Sequence, residues 1–105
     1  MATRFSEFVN SETPALVDFY TEWWDPCKAM SPILQELKSR IGDQAKIVML
    51  NLDRNPKAVH MFDVKDLPTL ILFRKGKIVW RQSGVLTADH LKGVISRSTY
   101  KEPIQ

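Results

Sequence analysis

Cys27 is the single cysteine of the 105-residue sequence, and it stands in Trp23-Trp24-Asp25-Pro26-Cys27-Lys28, between an apolar run and a helical pattern. A thiol in the first turn of a helix lies at the positive end of the helix dipole, beside backbone N–H groups that lack intrahelical partners. Both effects favour thiolate over thiol. The chemistry such a group suits is attack on a disulfide or a peroxide. A dithiol pair of the C-x-x-C kind needs a second cysteine three residues earlier, and that residue is Trp24. One cysteine excludes an internal disulfide and leaves a core thiol, a reactive thiol or an intermolecular bridge. The inert, buried thiol is the default reading, because isolated Cys is among the most buried residue types.

Asp18 is the second candidate. It interrupts the apolar run Ala15-Leu-Val-Asp-Phe-Tyr20, and a carboxylate in such a strand is costly unless it is hydrogen-bonded or protonated. Periodicity leaves two readings open, a buried acid with a raised pKa and an aspartate on a more polar face. Asp25, beside Pro26 at the helix start, is explained as a favourable N-terminal charge, although it also opposes a thiolate at Cys27. His60 and His90 fall on separate helical patterns without paired ligands at metal spacing, and no Gly-rich phosphate loop occurs. Neither a metal nor a cofactor is expected.

The elements that must hold these residues follow from periodicity. Phe5, Phe8 and Val9 form the apolar face of a short first helix, with Thr3 as its cap. Residues 15–20 are strand-like, and after Cys27 the stripe Ile33, Leu34, Leu37, Ile41 marks the longest helix, ended by Gly42. Residues 45–53 are apolar enough to read as an inner strand. Asn55 as N-cap and Pro56 at the first helical position open a short third helix through Phe62. Thr69–Phe73 and Ile78–Arg81 flank a Lys-Gly-Lys turn as a hairpin. Thr87 then caps a last helix carrying Leu91, Val94 and Ile95, which runs toward Tyr100 and stops at Pro103. The order α, β, α, β, α, β, β, α is a βαβ unit followed by a hairpin and a closing helix, a single domain over residues 1–105.

Composition bounds the class. A hydrophobic content of 44%, 26% charged residues and no apolar run of about 18 residues exclude a membrane-spanning helix. The N-terminus has no basic segment followed by an apolar one, so no export signal is expected and the cytoplasm is the expected location. The net charge of +3 is concentrated in residues 42–105, thickest at Arg74, Lys75, Lys77 and Arg81. A solvated hairpin tip accounts for that cluster better than a nucleic-acid surface, since no aromatic or motif context accompanies it.

Val17-Asp18-Phe19, then Glu22-Trp23 and Pro26-Cys27-Lys28, resemble the first strand and motif of thioredoxins, as do Asn51-Leu-Asp-Arg-Asn-Pro56, Leu67-Pro68-Thr69, Phe73-Arg-Lys-Gly-Lys77 and Gly84. The ordered set covers roughly nine-tenths of the chain. The resemblance implies a thioredoxin-like α/β fold: three α/β/α layers around a four-stranded mixed sheet, the usual first edge strand missing and the strand near residues 46–52 left with an open edge. It implies a cis Leu67–Pro68 peptide with Leu67 backbone groups available to an extended substrate, and Asp18 as a buried acid assisting proton transfer. Trp23, Asp25, Pro26, Leu67, Pro68 and Gly84 would form the partner-binding surface. Trp24 then replaces the family's nucleophilic cysteine, Cys27 holds the position of the resolving cysteine, and Met49 stands where many thioredoxins carry a lysine near the buried acid.

Family activity is protein disulfide reduction, in which a thiolate attacks the substrate disulfide and a second thiol releases the mixed disulfide. One thiol cannot complete that cycle. The favoured reading is therefore a monomeric protein-binding module, inactive as a dithiol oxidoreductase. In it Trp23 and Trp24 present an aromatic patch to proteins carrying disulfides or extended segments, with a thioredoxin-reductase-like partner implied by family. The competing reading of Trp24 is that it folds over the motif and packs there. Two alternatives are a monothiol enzyme using Cys27 and an active-site variant of an ordinary disulfide reductase.

Overall fold

The computed structural model describes residues 3–99, with side chains from residue 5 to residue 98. Capping by the Thr3 side chain, the approach to Tyr100 and the stop at Pro103 lie outside these. The elements are α1 (Thr3–Asn10), β1 (Ala15–Tyr20), α2 (Asp25–Ile41), a 3₁₀ turn (Gly42–Gln44), β2 (Lys46–Asn51), α3 (Lys57–Met61), β3 (Thr69–Arg74), β4 (Lys77–Ser83) and α4 (Ala88–Thr99). They form a thioredoxin-like α/β fold around one four-stranded sheet of order β2-β1-β3-β4. The β1–β2 pair is parallel and the other two pairs are antiparallel.

Alternate strand residues feed two cores. Leu16, Leu70 and Leu72 meet Met30, Leu34 and Leu37 of α2 and Leu91 and Ile95 of α4 on one face. Val17, Phe19, Ile71 and Phe73 meet Phe5, Ala58 and Phe62 on the other. Phe62 stands edge-on to both Phe5 and Phe73, at 5.8 and 5.5 Å between ring centroids. Because β1 and β3 are covered on both faces, they read as continuous apolar runs rather than alternating ones.

Two expectations are corrected. β2 is an edge strand, not an inner one, and Ile47, Val48 and Leu50 are only half-buried while Met49 is exposed. Helices overhang both faces of this edge, so its residues are apolar without being enclosed. The edge position is the one implied by the resemblance. At α3 the capping position falls on Pro56, and Asn55 turns its side-chain amide back onto the Asn51 carbonyl at 2.9 Å. The Thr87 cap holds, its Oγ1 accepting from the His90 N–H at 3.1 Å.

The β3–β4 turn places Lys75 at φ 55° and Gly76 at φ 79°, the two left-handed residues a tight type I′ hairpin requires. Its amides dock on the end of α1, Lys75 N–H to Ser11 O at 2.9 Å and Gly76 N–H to Val9 O at 2.8 Å. The basic cluster is partly tied down here. Arg74 donates to Glu12 O, and Arg81 donates to Phe62 O and Asp63 O. No helix among the described residues is long and apolar enough to cross a membrane.

Candidate functional site

β1 ends at Tyr20, the chain turns through residues 21–24, and α2 begins at Asp25 with Pro26 in its first turn. Cys27 is thereby drawn beneath the surface, 1% exposed. Its N–H donates to Trp24 O at 2.9 Å, and the Lys28 N–H shares that carbonyl at 3.3 Å. Burial pushes the Cys27 thiol pKa up, and the nearby Asp18 charge pushes the same way. The Thr21 backbone and, more weakly, its hydroxyl oppose them. Burial thus opposes the thiolate that the helix start favours, in keeping with the default reading of a buried thiol. Thr21 Oγ1 is buried and makes no regular hydrogen bond, so its opposition to that rise is small.

Asp18 is fully buried, and neither carboxyl oxygen has a hydrogen-bond partner. Burial alone pushes its pKa up to about 7. Of the two readings left open by periodicity, the structure takes the buried one. Met49 pairs with Asp18 across the β1–β2 register and supplies no charge. A hollow of about 280 Å³ is lined by Tyr20, Thr21, Cys27, Ser31 and Met49 among others.

Above the thiol the site is aromatic. The Leu67–Pro68 peptide is cis, as the resemblance implies. The Trp24 indole N–H donates to the Leu67 carbonyl at 3.1 Å, and the Gly84 N–H donates to the Pro68 carbonyl at 2.8 Å. One lone pair of the Leu67 carbonyl is thus occupied from within the chain, which leaves the other for an extended segment. Trp23 and Trp24 meet edge to face, centroids 6.3 Å apart at 63°, and are 68% and 44% exposed. Trp24 is docked by its N–H and still presents an open face. Asp25 points outward and pairs with Lys28 at 3.6 Å.

Thr69 was not singled out from the sequence, yet it anchors this loop. Its hydroxyl bonds Asp66 O and lies 2.9 Å from Ser83 Oγ, tying the segment before Pro68 to β4. A hydroxyl directly after the proline was the available signal. Thr21 escaped for a similar reason, as it lies at a strand end with no motif of its own. No group of three or more His, Cys, Asp or Glu side chains among the described residues is arranged to hold a metal.

A helix bearing a cysteine in its first turn, a cis-proline loop and a buried acid define an α/β protein built on the plan of thiol-redox proteins. The thioredoxin family profile matches residues 1–97. The thioredoxin of Haemophilus influenzae is 38% identical over 92 residues, 88% of this chain and 86% of its own length. A thioredoxin-like protein of Synechocystis is 39% identical over 89 residues, 84% of this chain and 85% of its own length. A solved thioredoxin mutant of Halobacterium salinarum superposes with a TM-score of 0.86 at 28% identity, covering 96% of this chain and 88% of that one. The chain belongs to the thioredoxin family.

Proposed function

We propose that this member of a redox family is a protein-binding module and not a dithiol disulfide reductase. The observation that carries the reading is the substitution at position 24. In place of the attacking thiol stands an indole whose N–H is bonded to Leu67 O, and the one remaining thiol is 1% exposed with its pKa raised by burial. Without a second thiol, a mixed disulfide formed at Cys27 has no internal group to release it. The same burial weighs against the monothiol reading.

In this proposal Trp23, Trp24, Asp25 and Pro26 face the cis loop of Leu67 and Pro68 and the Gly84 turn to form the partner-binding surface, with Trp23 the exposed anchor. Asp18 and Cys27 support it from below. The partners are proteins offering extended segments. A reductase of the thioredoxin-reductase kind remains a family expectation, but it would find no disulfide here to reduce. We place the protein in the cytoplasm as a monomer.

The test is DTT-driven reduction of insulin. The protein is expected to give the rate of the buffer blank, and Trp24→Cys, which creates W-C-D-P-C on the same scaffold, is expected to turn over. Reduction by the unaltered protein well above blank would overturn the proposal.

A further inference from the structure

Among the described residues β2 is paired on one side only. The Lys46 N–H donates to Pro14 O and the Leu52 N–H to Tyr20 O, both at 2.8 Å. Successive residues of a strand direct their backbone groups to opposite sides, so the parallel β1–β2 register turns residues 46, 48 and 50 toward β1. The N–H and C=O groups of Ile47 and Met49 therefore point away from the sheet. Farther along, the Asn51 carbonyl is already taken by Arg54 N–H and Asn55 Nδ2. What is left is a short ladder of four backbone groups centred on Val48. Natural edges are usually blunted by proline, bulges or inward charge, and between Ile47 and Asn51 this one has none of these.

Two hollows flank that ladder on opposite faces of the sheet. Met49 borders the hollow of about 280 Å³ beside Cys27. Leu50 borders a larger one of about 440 Å³ between α1 and α3, floored by Phe5 and Phe62 and edged by Met61, which is 70% exposed. A strand added along the edge would drop alternate side chains into the two hollows, since side chains alternate with a period of two.

Charge selects the occupant. Arg54 and Lys57 line the larger hollow, and among the described residues neither is ion-paired with a carboxylate. Lys46 stands at the start of the same edge, its Nζ 5.5 Å from the centre of the Phe8 ring. Two copies of this chain joined edge to edge through β2 would bring two such cation sets together. An acidic partner would be attracted by them.

We propose that the β2 edge is a strand-addition site for another protein, and that it takes an extended segment with an apolar residue for the Leu50 hollow flanked by Asp or Glu for Arg54 and Lys57. This surface is separate from the Trp23–Trp24 groove, and the proposal stands or falls independently of it.

The test uses a panel of labelled seven-residue peptides, Asp/Glu at both ends and alternating Val, Thr, Phe, Leu or Met between, with binding read by fluorescence anisotropy and by amide hydrogen exchange. At least one acidic peptide is expected to bind and to slow exchange at Ile47 and Met49. Its Kd is expected to rise tenfold or more in Arg54→Glu/Lys57→Glu and with added salt, and to be unchanged in Lys77→Glu at the opposite edge of the sheet. Ile47→Pro removes one outward N–H at an edge position that tolerates proline, and is expected to abolish binding while leaving the circular dichroism spectrum intact. The proposal is overturned if no acidic peptide binds at millimolar concentration, if the same sequences with Lys at the ends bind equally well, or if binding leaves the Ile47 and Met49 amides exchanging at the free rate. Protection of these amides by self-association of the chain alone would assign the edge to a second copy and overturn it equally.

Discussion

Asp18 has no exposed surface and no hydrogen-bond partner, so its ionisation is set by desolvation. Its pKa rises from 3.8 to about 7 on folding, and the native state holds a proton that the unfolded chain has released between those values. Below about pH 4 both states hold the proton and ionisation adds nothing to the cost of burial. As pH rises the unfolded state ionises first, and stability falls until the folded pKa is passed. At 1.36 kcal/mol per unit the full loss is about 4 kcal/mol. Urea unfolding of the unaltered protein is therefore expected to weaken by that order between pH 4 and pH 8, while Asp18→Asn stays nearly level; parallel curves for the two proteins would refute this assignment. Neither sign was fully legible in the sequence. A strand covered on both faces carries no period-two signal to say which way Asp18 points, and the resemblance alone favoured burial. At Cys27 the helix-start argument pointed to thiolate and the burial of isolated cysteines pointed the other way; how far burial opposes the thiolate depends on the whole surround.

Elements were legible where one local signal decides. The α2 stripe with Gly42 after it, the Thr87 cap and the Lys75-Gly76 turn all stand where periodicity and turn chemistry put them. Signals failed where the answer lies across the sheet. By periodicity β2 reads as an inner strand because two helical layers overhang it; the resemblance implied its open edge, and the sheet order shows it. The bond from Trp24 to Leu67 spans 43 residues and leaves no trace in either segment. The hairpin offers a test at this scale. Gly76 sits at φ +79°, and a Cβ there would lie 2.5 Å from Asn10 Oδ1, a side chain whose amide is bonded to Ser6 O. Gly76→Ala is expected to lower stability by about 1–2 kcal/mol from the left-handed backbone alone. It should also speed exchange of the Lys75 amide, which docks the turn on α1. A loss confined to a few tenths would mean that the turn relaxes freely.

The whole molecule decides how Cys27 behaves. The thiol is 1% exposed, at the wall of the hollow bordered by Met49, so reagents reach it only when its surround opens. Reaction with DTNB in native buffer is expected to be at least about a thousandfold slower than in denaturant, given stabilities of 5–15 kcal/mol for such domains. The rate should also climb with urea along the unfolding curve. Fast native reaction with a midpoint well below the free-thiol value of about 8.5 would instead favour the monothiol enzyme. The indole bonded to Leu67 O bears on the same scale. A partner strand that reaches this carbonyl finds one lone pair taken by Trp24 and the other open. The indole is then fixed before any encounter, so that a partner stacking on its open face meets a contour already set and has little of the ordering of that side chain left to supply.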